Sequence, residues 1–298
     1  MTEDKTEQEI TFLFVVDGAR LEAQSVLLAT SLRRCNPDSK LIAYLSPMSN
    51  VSLPDCAREV FNACGVECRV LPEHGDMWKR DYPHGNKLFA LADQRDSKFS
   101  VFLDTDMIAT KPMDSADLPG PFEISVVPEG VASWGKNDDR WERAYAHYGM
   151  PVPTERVRLT RRKRLEFLPY FNAGFVALRE EDRVDGKGFG RLWLETASDF
   201  DFNAKIGGKR PWLDQITLPL TMKRFGYRYK IVPTENNFSI SDRVPETDAD
   251  PAFMHYHRSR YLLNWPQWRM AQDVALDMVD KSRRVQLKEM LQEEGFDE

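Results

Sequence analysis

The sequence predicts an α/β fold: a mixed sheet flanked by helices on a nucleotide-binding, Rossmann-like plan, with a helical tail at the C-terminus. Three observations predict it. Short apolar runs alternate with stretches of helical periodicity through the first third of the chain, the pattern of parallel strands joined by crossover helices. One run passes directly into Asp104-Thr105-Asp106, which puts two acids at a strand's carboxyl end, where open α/β sheets bind ligands. From Pro266 to Glu294, apolar residues including Met270, Val274, Met278, Val285 and Leu291 recur at helical spacing, as on an amphipathic helix or pair of helices.

Taken in order, Ile10–Val16 is a nearly continuous apolar run, the mark of a strand covered on both faces. Leu21–Leu32 carries helical spacing. Leu41–Leu45 reads as the second strand, Asp55–Cys64 as a helix and Glu67–Leu71 as the third strand, which completes a βαβαβ unit. Asn86–Asp93 is expected to be helical, and Phe99–Leu103 is the buried strand that leads into the acidic pair. Beyond Pro119, short strands at Glu123–Val127 and Phe175–Ala177 flank an aromatic and basic stretch of little periodicity. No internal repeat, low-complexity tract or Pro/Gly/Ser linker divides the chain.

At 298 residues the chain can bury a core without disulfides or metal staples. Its net charge of -6 argues against a general nucleic-acid binder. Cys35, Cys56, Cys64 and Cys68 lack the paired spacing of a zinc site and read as reduced, mostly buried thiols. The charged Met1–Glu9 segment and the short apolar run behind it contain neither an export signal nor a transmembrane segment, so a cytoplasmic protein is expected. The acceptor patterns at Asn50 and Asn237 are discounted as glycosylation sites, because the triplet is common by chance.

Asp104 and Asp106 carry the strongest chemical signal. Side chains two apart on an extended segment share one side, so both carboxylates can converge on one cation. Mg²⁺ or Mn²⁺ prefers such oxygen ligands and can bridge them to a pyrophosphate. The bland reading of an isolated Asp-x-Asp is a strand ending in a solvated turn. For His255 and His257 the bland reading is a hydrogen-bonded structural imidazole, and for Asp214 a cap on a helix beginning at Gln215.

In this order and at these separations, FLDTDMIATKP, YFNAGFVAL, Leu213-Asp214-Gln215 and FMHYHRSRYL resemble the GT-A glycosyltransferases, and family 8 most of all. The resemblance runs from Phe12 to Trp265. It implies one GT-A-like catalytic domain over residues 1–264, with a nucleotide-sugar half at 10–118 and an acceptor half at 119–264, and a helical extension at 265–298. It implies a Mn²⁺ or Mg²⁺ ion held by Asp104, Asp106 and His255, with His257 as the fallback ligand, and donor-sugar or ribose contact by Asp104 and the adjoining Thr105. Asn172 and Gly174 would lie beside the donor sugar. Asp214 would recognise that sugar and Gln215 would face the reacting centre, so that Asp214, Gln215 and Asn172 form the catalytic group. Val15 and Asp17 correspond to the uridine pocket, where Leu21 replaces the family's stacking aromatic. Arg80 and Lys87 match the diphosphate cations. The glycine and lysine that follow the family's histidine are absent here, and the resemblance leaves Arg258 or Arg260 to supply their positive charge, since guanidinium groups suit phosphate.

The activity so implied is transfer of a hexose from a nucleotide-sugar, a UDP-sugar, to a hydroxyl acceptor such as a saccharide, with retention of configuration. Trp134, Trp141, Tyr145 and Tyr148 fall in the family's acceptor region and fit a core-packed helix equally well. The run Arg156, Arg158, Arg161, Arg162, Lys163 and Arg164 suits an anionic acceptor, lipid headgroups or a solvated loop. Two other readings stay open: a transferase-like protein that binds without turnover, and a phosphatase whose Asp-x-Asp supplies nucleophile and general acid.

Overall fold

The computed structural model describes residues 10–73, 75–246 and 248–296, so the Met1–Glu9 segment lies outside the described residues. The strands are β1 (Ile10–Val16), β2 (Lys40–Leu45), β3 (Val66–Val70), β4 (Phe99–Leu103), β5 (Met107–Ala109), β6 (Glu123–Pro128), β7 (Val157–Arg158), β8 (Glu166–Phe167), β9 (Phe171–Arg179), β10 (Arg228–Ile231), β11 (Phe238–Ser239) and β12 (Phe253–His255). The helices are α1 (Ala19–Cys35), α2 (Pro47–Ser52), α3 (Asp55–Ala63), α4 (Asn86–Ala92), α5 (Arg140–His147), α6 (Phe189–Asn203), α7 (Leu213–Phe225), α8 (Ser259–Leu262), α9 (Gln267–Asp277) and α10 (Lys281–Glu293).

Seven strands form the main sheet in the order β10-β6-β9-β4-β1-β2-β3. β1 pairs in parallel with both β2 and β4, while β9 runs antiparallel between β4 and β6. Because strand side chains alternate, β1 feeds two apolar layers. Phe12, Phe14 and Val16 pack with α1, α3, α9 and α10, whereas Leu13 and Val15 pack with α4, α6 and α7. The C-terminal helices bury Trp268, Ala271, Leu287 and Leu291 in the first layer, and the expected tail is a pair broken after Asp277. Three cysteines are buried, Cys68 is exposed, and all four are free thiols. No helix among the described residues is long and apolar enough to cross a membrane.

Three features of the topology position the site. The chain proceeds from β1 out to β2 and β3 and then returns to β4 on β1's other side, which opens a crevice at the carboxyl ends of β1 and β4. The register of β9 against β6 slips between Val126, opposite Val176, and Val127, opposite Asn172; bulges of this kind re-aim side chains beside functional sites. A small sheet, β11-β12-β5, sets His255 opposite Met107, one residue beyond Asp106.

Candidate active site

Asp104 and Asp106 do not lie on an extended strand as expected. β4 ends at Leu103, and Asp104-Thr105-Asp106 forms the turn into β5. The turn nevertheless separates the side chains. Thr105 is buried and donates its hydroxyl to the Val15 carbonyl, leaving the two carboxylates to face the crevice, which they line. Backbone bonds fix the turn: Asp104 N–H donates to Gly174 O at 2.8 Å, and Tyr256 N–H donates to Asp106 O at 3.1 Å.

The second of these bonds brings His255 alongside. One ligand atom each from Asp104, Asp106 and His255 lies within 4.8 Å of the others, and His255 Nε2 is 3.0 Å from Asp106 Oδ1. His255 Nδ1 is 2.8 Å from Asn237 Oδ1, while the Asn237 amide donates to Asn172 Oδ1 at 2.8 Å. With Asn237's oxygen turned to the ring, Nδ1 carries the proton. In a neutral imidazole Nε2 is then a lone pair aimed at a carboxylate, an arrangement that requires a proton or a cation between them. Burial opposes charge on both partners, but each outweighs that penalty for the other. The His255 pKa is raised by Asp106, and the Asp106 carboxyl is held well below the usual carboxylate range by His255. Two carboxylates and an imidazole at this spacing fit a divalent cation. His257 stacks on His255 at 3.8 Å with its Nδ1 against Ser241 Oγ; burial first, then the neighbouring His255, lowers its pKa to about 3.

A crevice of about 200 Å³ opens in front of this cluster, and Val15, Asp17, Leu21, Lys87, Asp104 and Asp106 are among its lining. Asp17 Oδ2 accepts from Asn86 Nδ2 at 2.9 Å. Lys87 is buried at the start of α4. Its Nζ is 2.8 Å from Asp104 Oδ1 and 3.1 Å from Asp214 Oδ2, and it donates to Ala173 O at 3.2 Å. Burial works against the ammonium, yet the two carboxylates raise its pKa. Asp214 does not cap α7. It sits buried in the first turn, paired with Lys87 and accepting the Tyr82 hydroxyl at 2.7 Å.

Gln215 and Asn172 meet at a residue that the sequence did not single out, Glu129. Its Oε2 accepts from both Asn172 Nδ2 and Gln215 Nε2 at 2.9 Å, and its Oε1 accepts from Gly130 N–H at 2.6 Å. Tyr170 donates its hydroxyl to Gln215 Oε1 at 2.8 Å. Both ends of the glutamine are therefore tied. Gly174 is the point of convergence: a Cβ there would lie 2.8 Å from Asn172 Oδ1, 2.8 Å from His255 Cε1 and 2.9 Å from Asp104 Oδ2.

Other expected residues lie elsewhere. Arg80, Arg258 and Arg260 are exposed and do not line the crevice; Arg260 turns onto its neighbour Tyr261. The second cation on the crevice wall is Arg20, at the start of α1. Trp134, Trp141 and Tyr145 are fully buried, and none of them lines the crevice. Trp134 and Trp141 pack edge-to-face at 4.9 Å, and Trp141 meets Tyr170 at 5.6 Å, so these aromatics act by buttressing Tyr170. Partly buried Tyr148 stacks on Phe200 and donates to Thr196 O. Glu129 and Arg20 gave no sequence signal beyond their residue types, and Asn237 only the discounted acceptor triplet, since each takes its meaning from partners distant in the chain.

No curated protein matches this chain. Among solved structures, galactosyltransferase LgtC in complex with donor and acceptor sugar analogues superposes with a TM-score of 0.54 at 13% identity, covering 92% of this chain and 99% of its own. The apo bifunctional glycosyltransferase WbbM gives 0.55 at 12% identity, covering 96% of this chain and 52% of its own. The glycosyltransferase GlyE of Streptococcus pneumoniae TIGR4 gives 0.51 at 16% identity, covering 96% and 64%. These likenesses show the GT-A fold. A sequence profile of the Rhodobacterales glycosyltransferase domain matches residues 12–226, a span that holds the Asp-x-Asp turn, the β9 bulge and the Asp214-Gln215 pair; the chain belongs to that family, and the enzyme is a glycosyltransferase, not a phosphatase.

Proposed function

We propose that this enzyme transfers a hexose from a UDP-sugar to a saccharide hydroxyl, with retention, and that it depends on Mn²⁺ or Mg²⁺. The observation that carries the reading is the convergence of Asp104, Asp106 and the buried His255 on one point, with both carboxylates lining the crevice between β1 and β4 and with Asp214, Gln215 and Asn172 gathered through Lys87 and Glu129.

In this reading the base and ribose of the nucleotide occupy the crevice beside Val15, Asp17 and Leu21. Arg20 and Lys87 face the diphosphate. A cation bound by Asp104, Asp106 and His255 would supply Lewis-acid neutralisation of the departing diphosphate. Lys87 holds Asp104 and Asp214 in fixed orientation, which presents Asp214 to the sugar hydroxyls. Asn172 and Gln215, both anchored on Glu129, border the anomeric carbon. An amide oxygen already accepting from Tyr170 is a poor nucleophile, which favours attack by the acceptor from the side of the leaving group. A phosphate oxygen of the leaving diphosphate then takes the acceptor proton.

The test is donor hydrolysis without acceptor, measured with a panel of nucleotide-hexoses in saturating Mn²⁺ and after chelation. Release of UDP that stops on chelation is the expected result. UDP with Mn²⁺ should also raise the melting temperature; if it does not while another nucleotide does, the donor assignment fails. Tight UDP binding with neither turnover of any donor nor transfer to any of a broad set of acceptors would mark a binding protein on the same scaffold.

A further inference from the structure

The basic run between Arg156 and Arg164 is not part of the crevice just described. Its tip is a turn: Leu159 N–H bonds Leu165 O, Arg164 N–H bonds Arg161 O, and β7 and β8 pair beneath. Thr160 N–H bonds Glu129 O and Arg161 N–H bonds Gly130 O at 3.0 Å, so the turn is fastened to the segment that anchors Gln215 and Asn172. Arg162 and Arg164 stand at φ values of 54° and 45°, where a side chain is strained and glycine would be at ease. No acid falls between Arg156 and Arg164 in a chain whose acids outnumber its bases, 47 to 41. Among the described residues, Arg162, Lys163 and Arg164 form no ion pair.

Beneath the tip lies a second cavity of about 280 Å³, with Glu129, Asn172 and Asn237 on its floor and Arg161, Arg162 and Asp242 among its walls. The floor residues belong to the network around the reacting centre, and the cavity shares no lining residue with the nucleotide crevice. Arg161 is aimed inward, donating to Ser239 Oγ at 3.3 Å and to Ser241 O, and its remaining guanidinium hydrogens and those of Arg162 lack an acidic partner. Guanidinium pairs in a concave site match phosphate and carboxylate oxygens. A bilayer surface would meet Lys163 and Arg164 but could not enter a cavity floored by Asn172.

We propose that the acceptor saccharide carries an anionic substituent, a phosphate or a carboxylate, and that Arg161 and Arg162 bind it in this cavity. The proposal rests on the transferase reading for the placement of the reacting hydroxyl. Calorimetric titration of the full chain with glucose 6-phosphate, glucuronate and glucose, with and without Mn²⁺ plus UDP, tests it. At least one anion is expected to bind about tenfold tighter than glucose, the worth of one charge-assisted contact. Arg162→Gln should abolish that preference, and Lys288→Gln, the same charge change on distant α10, should keep it. Equal affinities, no measurable binding of either anion, or a preference surviving in Arg162→Gln overturns the proposal. So does Arg162-dependent binding to phosphatidylglycerol vesicles without binding of either sugar anion, which would assign the tip to a membrane surface. Because the titration needs no turnover, a donor that is never hydrolysed would defeat the transferase reading separately.

Discussion

Replacing Glu129 by glutamine removes a negative charge while keeping the side chain's size. In the native site three donors converge on this carboxylate: Asn172 and Gln215 on Oε2, and the Gly130 amide on Oε1. Glutamine offers one acceptor oxygen. If that oxygen faces Asn172 and Gln215, its own amide hydrogens confront Gly130 N–H; in the reverse orientation they confront both side chains. A lost hydrogen bond to a charged group costs about 1.5–3 kcal/mol. If that cost falls on the orientation of Gln215 and Asn172, kcat drops by about ten- to a hundredfold. Steady-state transfer and donor hydrolysis measure the drop, and donor KM should stay within about threefold because the nucleotide crevice is untouched. Burial raises the Glu129 pKa, outweighing its hydrogen bonds. Its contribution to stability is therefore full below the unfolded value of about 4.5 and is lost as pH rises through the folded one. The wild-type rate should climb over that same window as the clamp ionises, while the melting temperature of Glu129→Gln improves relative to wild type. A kcat within about twofold of wild type, or a pH–rate profile identical in the two proteins, would refute this account of Gln215.

Three further perturbations separate parts of the site. Asn237→Ala leaves His255 Nδ1 and Asn172 without their partner, and calorimetry should show Mn²⁺ affinity weakened by about ten- to a hundredfold, the usual worth of a ligand's supporting hydrogen bond; an unchanged affinity would mean that Asn237 does not fix the ring. Gly174→Ala pushes a methyl group into Asn172, His255 and Asp104 together, so Mn²⁺ binding should disappear while circular dichroism stays native, and retained binding would show that the bulge relaxes. Lys87→Met strands the buried Asp214 beside a partly exposed Asp104; denaturant unfolding should lose about 3 kcal/mol at pH 7, the lower end for a broken buried pair, and recover part of it when Asp214→Asn is added, and an additive double variant would remove Lys87 from that role.

Much of the chain as far as β4 was legible in the sequence because its signals are local. β1 and β4 have the predicted bounds, and α1, α3 and α4 lie within a few residues of theirs, since a run of apolar side chains reports burial through its own periodicity. β5 and the segments beyond β6 were harder to read. β5, β10, β11 and β12 are two to four residues long, too short for a period to show, and α7 is apolar on most sides, with a proline inside it. The aromatic set at Trp134, Trp141 and Tyr145 illustrates the limit: composition fits both a sugar platform and a core, and only the packing against Tyr170 distinguishes them.

The sequence by itself determined the α/β class, the order of the elements from β1 to β4 and the identity of the acidic turn, because residue type and spacing along one segment carry that information. Only the tertiary structure decided which polar groups meet. His255 reaches Asp106 through a three-stranded sheet that joins segments some distance apart in the chain. Glu129 gathers Asn172 and Gln215 across a bulge, and Lys87 joins Asp104 to Asp214. Each bond depends on strand pairings whose register is set by burial over the whole sheet, and no single stretch of residues encodes it.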